Sequence, residues 1–162
     1  MRTITPCLWF NGQAKQAADF YVSVFPNSRI LHTSYFSEEV AQAARQPVGS
    51  VLTVLMDLDG NRFMALNGGP QFQFTPAISM MIYCDSQQEI DRFWEKLTAG
   101  GGKPGQCGWL EDRFGISWQV VPKVFDQMMQ DKDPKKSAAG LKAMLPMQKF
   151  DIAALQRAYD EA

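Results

Sequence analysis

Histidine and cysteine are the scarce residues of this chain, one and three among 162. Cys7, Cys84 and Cys107 are odd in number and widely separated, with no CxxC pair, which fits reduced thiols in a reducing compartment better than a disulfide framework or thiolate zinc site. Reduced, structural thiols packed as small apolar residues are expected instead. The single His32 excludes metal chemistry built on several histidines, and simple strand alternation sets it on one face with Ile30 and Ser34. An excess of one charge is also missing: 16 basic and 17 acidic residues give a formal −1, so no footprint for nucleic acid or an anionic membrane is present. No apolar run approaches the roughly 20 residues that span a bilayer. The opening MRTITPCLWF turns polar at Asn11, too early for a signal-peptide core. A cytoplasmic protein with neither membrane nor nucleic-acid partner is expected, long enough for one domain with a substantial core.

What the sequence does have is concentrated in CGWLEDRFGISWQVVP, residues 107–122, which holds two of the four tryptophans. Trp109 and Leu110 precede a polar turn at residues 111–115, and an apolar run resumes from Ile116 to the closing Pro122. This predicts a β-hairpin with a largely buried second strand and Gly115 near the turn. Gln119 is the odd residue of that strand, since an amide between Trp118 and Val120 needs partners from protein, water or a ligand.

Earlier in the chain, residues 3–10 read as a strand marked as edge or strand start by Pro6. Asn11 is a candidate cap for a helix whose apolar face is Ala17, Phe20, Tyr21 and Val24, ending before Pro26. Residues 28–36 predict a second strand and 37–49 a loop or short helix. Residues 50–58 and 61–66 predict a hairpin turning at Asp59-Gly60. The pattern then repeats. Residues 77–84 are an apolar strand, Ser86 and Glu89 have capping-box spacing, and Ile90, Phe93, Trp94 and Leu97 reproduce the first helix's apolar face at a constant offset of 73. Gly100-Gly101-Gly102 stops that helix; the Lys103-Pro104 that follows lacks the Ser or Thr of a phosphate-binding loop.

Two strand–helix–strands units follow, module one about 3–70 and module two about 77–122, with a helical tail over 123–162. A lone helix covers one face of each sheet, so the other faces are expected to close on each other and leave a ligand-sized cleft. In the tail, Asp133-Pro134 and Asp151 are helix starts, and Leu141, Met144, Leu145 and Met147 form an apolar patch. The tail either packs over its own chain or serves as a lid or dimer contact.

FNGQAKQAADFYVSVFPNSRI, FMALNGGPQFQF and CGWLEDRFGISWQVVP, in that order, resemble the PhnB-like group of the vicinal oxygen chelate superfamily, which includes glyoxalase I, bleomycin-resistance proteins and extradiol dioxygenases. The resemblance runs from about residue 4 to 159. It implies an α+β fold of two βαβββ modules forming paired curved sheets around a cleft, with a C-terminal helical extension, usually as a homodimer. Some members carry the label 3-demethylubiquinone-9 3-methyltransferase, although no glycine-rich strand-to-helix turn for a Rossmann-type methyl-donor site is present. The superfamily's divalent metal is held by His, Gln or Glu on the first and last strands of each module. Those positions fall here near Thr5 or Pro6 and Ala65 in module one, and near Ile78 or Ser79 and Gln119 in module two. One neutral amide does not supply the three or more ligands a catalytic cation needs, so no metal site and no cofactor are expected.

The function expected is small-molecule binding, with Trp9, Phe10, Trp109 and Trp118 as walls and Asn67, Ser79 and Gln119 as polar anchors. The competing expectation is that most of these aromatics are core. Alternatives are a metal-independent enzyme using Asp112, Glu111 or Cys107, and a methyltransferase as the label implies.

Overall fold

In the computed structural model, residues 4–162 are described, and the expected strand start at Thr3 lies outside them. The chain divides after Phe74 into two compact units. The first runs β1 (Cys7–Phe10), α1 (Ala14–Val24), β2 (Arg29–Tyr35), α2 (Glu38–Ala44), β3 (Val51–Leu58) and β4 (Asn61–Asn67). The second runs β5 (Met80–Cys84), α3 (Gln87–Thr98), β6 (Lys103–Pro104), β7 (Trp109–Glu111) and β8 (Ser117–Pro122), followed by α4 (Lys123–Met129), α5 (Pro134–Met144) and α6 (Ile152–Asp160). Their strand orders match: β1-β4-β3-β2 and β5-β8-β7-β6, with the first strand of each parallel to the last and the other pairs antiparallel. Each unit is thus βαβββ, with α2 inserted only in the first, and the fold is α+β.

The helices form where the apolar spacing put them. On α1, Ala14, Ala17, Ala18, Tyr21 and Val24 are buried against β3 and β4 while Phe20 is half-buried; on α3, Ile90, Phe93 and Leu97 are buried against β7 and β8. Asp59 and Gly60 both take positive φ, +49° and +85°, as a tight type I′ hairpin requires. Ser86 caps α3 by accepting from Glu89 N (3.2 Å). Glu89 reaches one residue further back than a capping box does, accepting from Asp85 N (2.7 Å).

Several expectations are corrected. Asn11 does not cap α1: its N-cap is Gln13, without a side-chain bond, and the Ala14 N–H donates instead to Asn67 Oδ1 from the end of β4 (2.9 Å). His32 does not share a face with Ile30, because a bulge between them pairs Ile30 with Met56 but His32 with Leu55, on the opposite side of β3. The strand expected from residue 77 begins at Met80, since Pro76 and Ala77 form a turn. The short strand β6, paired through Lys103 and Glu111, was not read from the sequence.

The repeat itself is corrected by one residue in its strands. β1 pairs Leu8 with Ala65 and Phe10 with Asn67, and these side chains are buried under α1; β5 pairs Ile82 with Val120 and Cys84 with Pro122 on the α3 side. Phe10 therefore corresponds to Cys84, an offset of 74, because the β5–α3 connection is one residue shorter than β1–α1. A slip of one residue exchanges the faces of a strand. The partner of Gln119 in module one is accordingly Met64, beside Cys7, and not the helix-facing Ala65.

The tail packs on its own unit, α4 against β8 and α5 against α6. Backbone N–H groups of Cys107 and Gly108 donate to Met147 O and Gln148 O (both 2.7 Å), and the Gln87 amide binds Phe150 O and Ile152 N (both 3.0 Å). Asp133 and Asp151 cap α5 and α6 as expected. Leu141 and Leu145 remain exposed.

Candidate functional site

Strand alternation gives the second sheet one face under α3 and one face away from it. The α3 face holds Leu110, Trp118, Val120, Pro122 and Cys84. The other face carries Met81 and Tyr83 on β5, Gln119 on β8 and Trp109 on β7. Cross-strand register sets Met81, Gln119 and Trp109 side by side across three strands. Gln119 is the one residue of β8 that is not buried. Its Nε2 donates to Ser79 Oγ (2.8 Å), so the amide finds its partner immediately ahead of the neighbouring strand. Met81 and Tyr83 are exposed, and the Tyr83 hydroxyl lies 3.9 Å from Met81 Sδ.

Three of the expected binding residues, Ser79, Trp109 and Gln119, thus come together. Met81 and Tyr83 join them, and were missed because they read only as apolar strand residues; their place beside Gln119 depends on a parallel pairing that no local pattern announces. Trp9 and Asn67 belong to the other unit. The Trp9 indole donates to Gly69 O (2.8 Å) and meets Phe72 edge-on at 5.0 Å, while a Cβ at Gly68 would lie 2.2 Å from its ring. Phe10 is buried against Phe74. Asn67 is committed at both ends of its amide, accepting from Ala14 N and donating to Val51 O (3.0 Å). Trp118 is 3% exposed, its indole donating to Asp112 Oδ2 (2.8 Å).

The candidate acids and nucleophile have structural partners as well. Asp112 is buried, not a solvated turn residue, and its carboxylate also accepts from Phe114 N (2.8 Å) and Ile116 N (3.1 Å). Glu111 pairs with Lys103 at 2.8 Å. Cys107 Sγ lies 3.9 Å from the carbonyls of Met144 and Leu145. Of the three thiols only Cys84 is fully buried; Cys7 is exposed and Cys107 half-buried, which corrects the expectation of packed thiols throughout.

Burial, with Glu89 adding to it, pushes the Cys84 thiol up to about 12. A folded-state pKa above the unfolded value near 8.5 favours the protonated thiol in the native state, so its stabilisation is complete below pH 8.5 and is lost between there and about 12. Denaturant melts are expected to show stability falling through pH 9–11 by at most about 1.4 kcal/mol per pH unit, with a shallower slope in Cys84→Ala. An unchanged slope in that variant would refute the assignment.

The donors at the metal-equivalent positions do not fit a divalent cation. The first-strand residues in register with Met64 and Gln119 are Cys7 and Met81, not Thr5 or Pro6 and Ile78 as expected, so the donors are Cys7 and Met64 in the first sheet and Met81, Ser79 and the Gln119 amide in the second. Among the described residues no three His, Cys, Asp or Glu side chains are placed to hold a metal ion together, and no helix is long and apolar enough to cross a membrane.

Two βαβββ units with parallel first and last strands define the class as a glyoxalase/bleomycin-resistance-like protein of the vicinal oxygen chelate superfamily. The profile of the 3-demethylubiquinone-9 3-methyltransferase family matches residues 2–121, and the chain belongs to that PhnB-like family. The PhnB protein from Bacillus cereus is 32% identical over 75% of this chain and 99% of its own, with a TM-score of 0.66. A protein from Pseudomonas aeruginosa, 20% identical over 75% of this chain and 98% of its own, has a TM-score of 0.61. The fosfomycin resistance protein FosX from Listeria monocytogenes shares the fold at 12% identity, covering 75% of this chain and 93% of its own with a TM-score of 0.50. No curated protein matches the chain.

Proposed function

We propose that this protein binds a small organic molecule on the face of its second sheet turned away from α3. The observation that carries this reading is the Met81–Gln119–Trp109 row, where a half-exposed amide is flanked by a thioether and an indole on a strand otherwise buried. Trp109 and Met81 offer apolar contact, and Ser79 with Gln119 offers the few polar groups a small-molecule site uses for orientation. Trp9, Asn67 and Trp118 enter as support, holding strand ends and hairpin in place. The working unit is taken as a cytoplasmic homodimer, as the family resemblance implies; sedimentation of the purified protein tests the oligomeric state.

A thermal-shift panel of quinones, aromatic antibiotics and S-adenosylmethionine tests the reading. A ligand held only by the folded state at 100 times its Kd adds about 2.7 kcal/mol. That corresponds to a midpoint shift of roughly 5–10 °C for a chain of this size. Gln119→Leu is expected to melt as the wild type does without ligand and to lose the ligand-induced shift; retention of the full shift would count against this face. A shift produced by S-adenosylmethionine alone would favour the methyl transfer that the family's name describes. Elemental analysis completes the test, because a stoichiometric divalent metal would contradict the metal-free reading.

A further inference from the structure

We infer that the ligand of this face is a neutral, planar ring carrying an amide-type edge, a hydrogen-bond donor next to an acceptor, as in a lactam or cyclic ureide. The inference rests on the binding reading above and adds the chemistry of the ligand. The Ser79–Gln119 bond is the starting point. With Nε2 donating to Ser79 Oγ, the pair still presents the Ser79 hydroxyl proton as a donor and Gln119 Oε1 as an acceptor. Exchanging the amide's oxygen and nitrogen leaves the same complement, because the serine would then donate and the amide NH2 and serine lone pair would face outward. Either way an N–H or O–H donor stands beside an acceptor, a set that includes the complement of a cyclic amide edge.

The flanks fit the rest of such a molecule. Neighbouring strands are spaced about 4.8 Å apart, so the backbones carrying Met81 and Trp109 lie roughly 10 Å from each other with Gln119 between them. A flat ring standing edge-first on Gln119 meets the thioether on one face and the indole on the other, both favourable against aromatic surface. Tyr83, beside Met81 on the same face, extends the apolar wall. Charge excludes the obvious competitor. The charged side chains of this face at its β6–β7 edge, Glu111 and Lys103, are paired with each other at 2.8 Å, so a carboxylate ligand would find an acidic neighbour and a cation already engaged.

The probes that test this are 1(2H)-isoquinolinone, its N-methyl derivative and 1-naphthoate, titrated against the full chain by tryptophan fluorescence and thermal shift. The lactam is expected to bind about tenfold more tightly than the N-methyl compound, which keeps the ring and the acceptor but loses the donor, and more tightly than the anion. In Gln119→Leu the lactam's advantage should vanish while weak binding of both neutral rings survives, and in Trp109→Ala both should weaken together. Equal binding of the lactam and its N-methyl derivative to the wild type, still sensitive to Trp109→Ala, would overturn the amide-edge assignment and leave the binding face standing. Preference for 1-naphthoate would overturn the charge assignment. No binding of any probe would overturn both this inference and the functional reading beneath it.

Discussion

Asp112→Ala is expected to lower unfolding stability by roughly 3–5 kcal/mol. Asp112 is 1% exposed, and its carboxylate accepts from Phe114 N and Ile116 N on Oδ1 and from the Trp118 indole on Oδ2. Truncation removes one acceptor group but strands several donors, two of them buried, and orphaned buried donors cost more than the bonds they replace gained. The carboxylate's bonds to Phe114 N and Ile116 N reinforce a turn whose main chain is closed by Asp112 N donating to Ile116 O (2.9 Å) and Gly115 N to Asp112 O (3.0 Å). Asp112→Asn retains an oxygen for the two backbone donors but turns an NH2 toward the indole N–H, so an intermediate loss is expected. Urea melts should show the midpoint falling from wild type through Asn to Ala, with the near-ultraviolet signal of Trp118 altered in both variants. An Ala variant within 1 kcal/mol of the wild type would show that the turn carboxylate is dispensable, and would return Asp112 to the pool of candidate acids.

That residue illustrates where the sequence misleads. EDRFG has the composition of a solvated turn, and nothing in it signals that one of its two carboxylates points inward; the signal would have been Trp118, whose indole N–H requires an acceptor once the hairpin's second strand is buried. Helices α1 and α3 were legible because an apolar stripe at helical spacing is dictated by burial alone. Likewise Asp59-Gly60 announced its turn through the positive φ both residues adopt. Features set by distant parts of the chain were not legible. Asn67 caps a helix whose first residue is 53 positions away, so Asn11 looked the better candidate. The bulge in β2 and the one-residue difference between the β1–α1 and β5–α3 connections each exchange strand faces, which moved His32 and the module-one counterpart of Gln119. Gln119 itself stood out as a polar residue in an apolar strand, and its half-exposed position between Met81 and Trp109 is the physical reason an amide is tolerated there.

Gly108→Ala is expected to cost a further several kcal/mol by a different route and to release the tail from the sheet. Cys107 and Gly108 both adopt positive φ, +56° and +80°, in the turn closed by Trp109 N donating to Gln106 O (3.0 Å). A non-glycine residue at such a φ costs on the order of 1–2 kcal/mol by itself. At Gly108 there is also no room. An added Cβ would lie 2.4 Å from Phe150 Cε2 and 2.8 Å from the Val120 carbonyl oxygen, a backbone atom of β8 that cannot rotate away. Phe150, 1% exposed and tilted against Phe125 with ring centres 5.1 Å apart, joins the tail to this turn, and the Gly108 N–H also donates to Gln148 O. Gly115 supplies the control: its φ is +87°, yet nothing lies within 4 Å of its added Cβ, so Gly115→Ala should show the conformational cost alone. The difference between the two variants, expected at roughly 2–3 kcal/mol, measures the close packing of the tail. In Gly108→Ala, limited proteolysis should cut within residues 145–160 and hydrogen exchange should accelerate there before the strands open. Phe150→Ala, costly in the wild type at about 3–5 kcal/mol, should cost less in the Gly108→Ala background, because removing the ring relieves part of the clash. Additive losses in that double-mutant cycle would mean that the ring and the glycine do not constrain each other, and the tail would then have to be held by the Gln87 clamp and the Lys149–Asp91 pair instead.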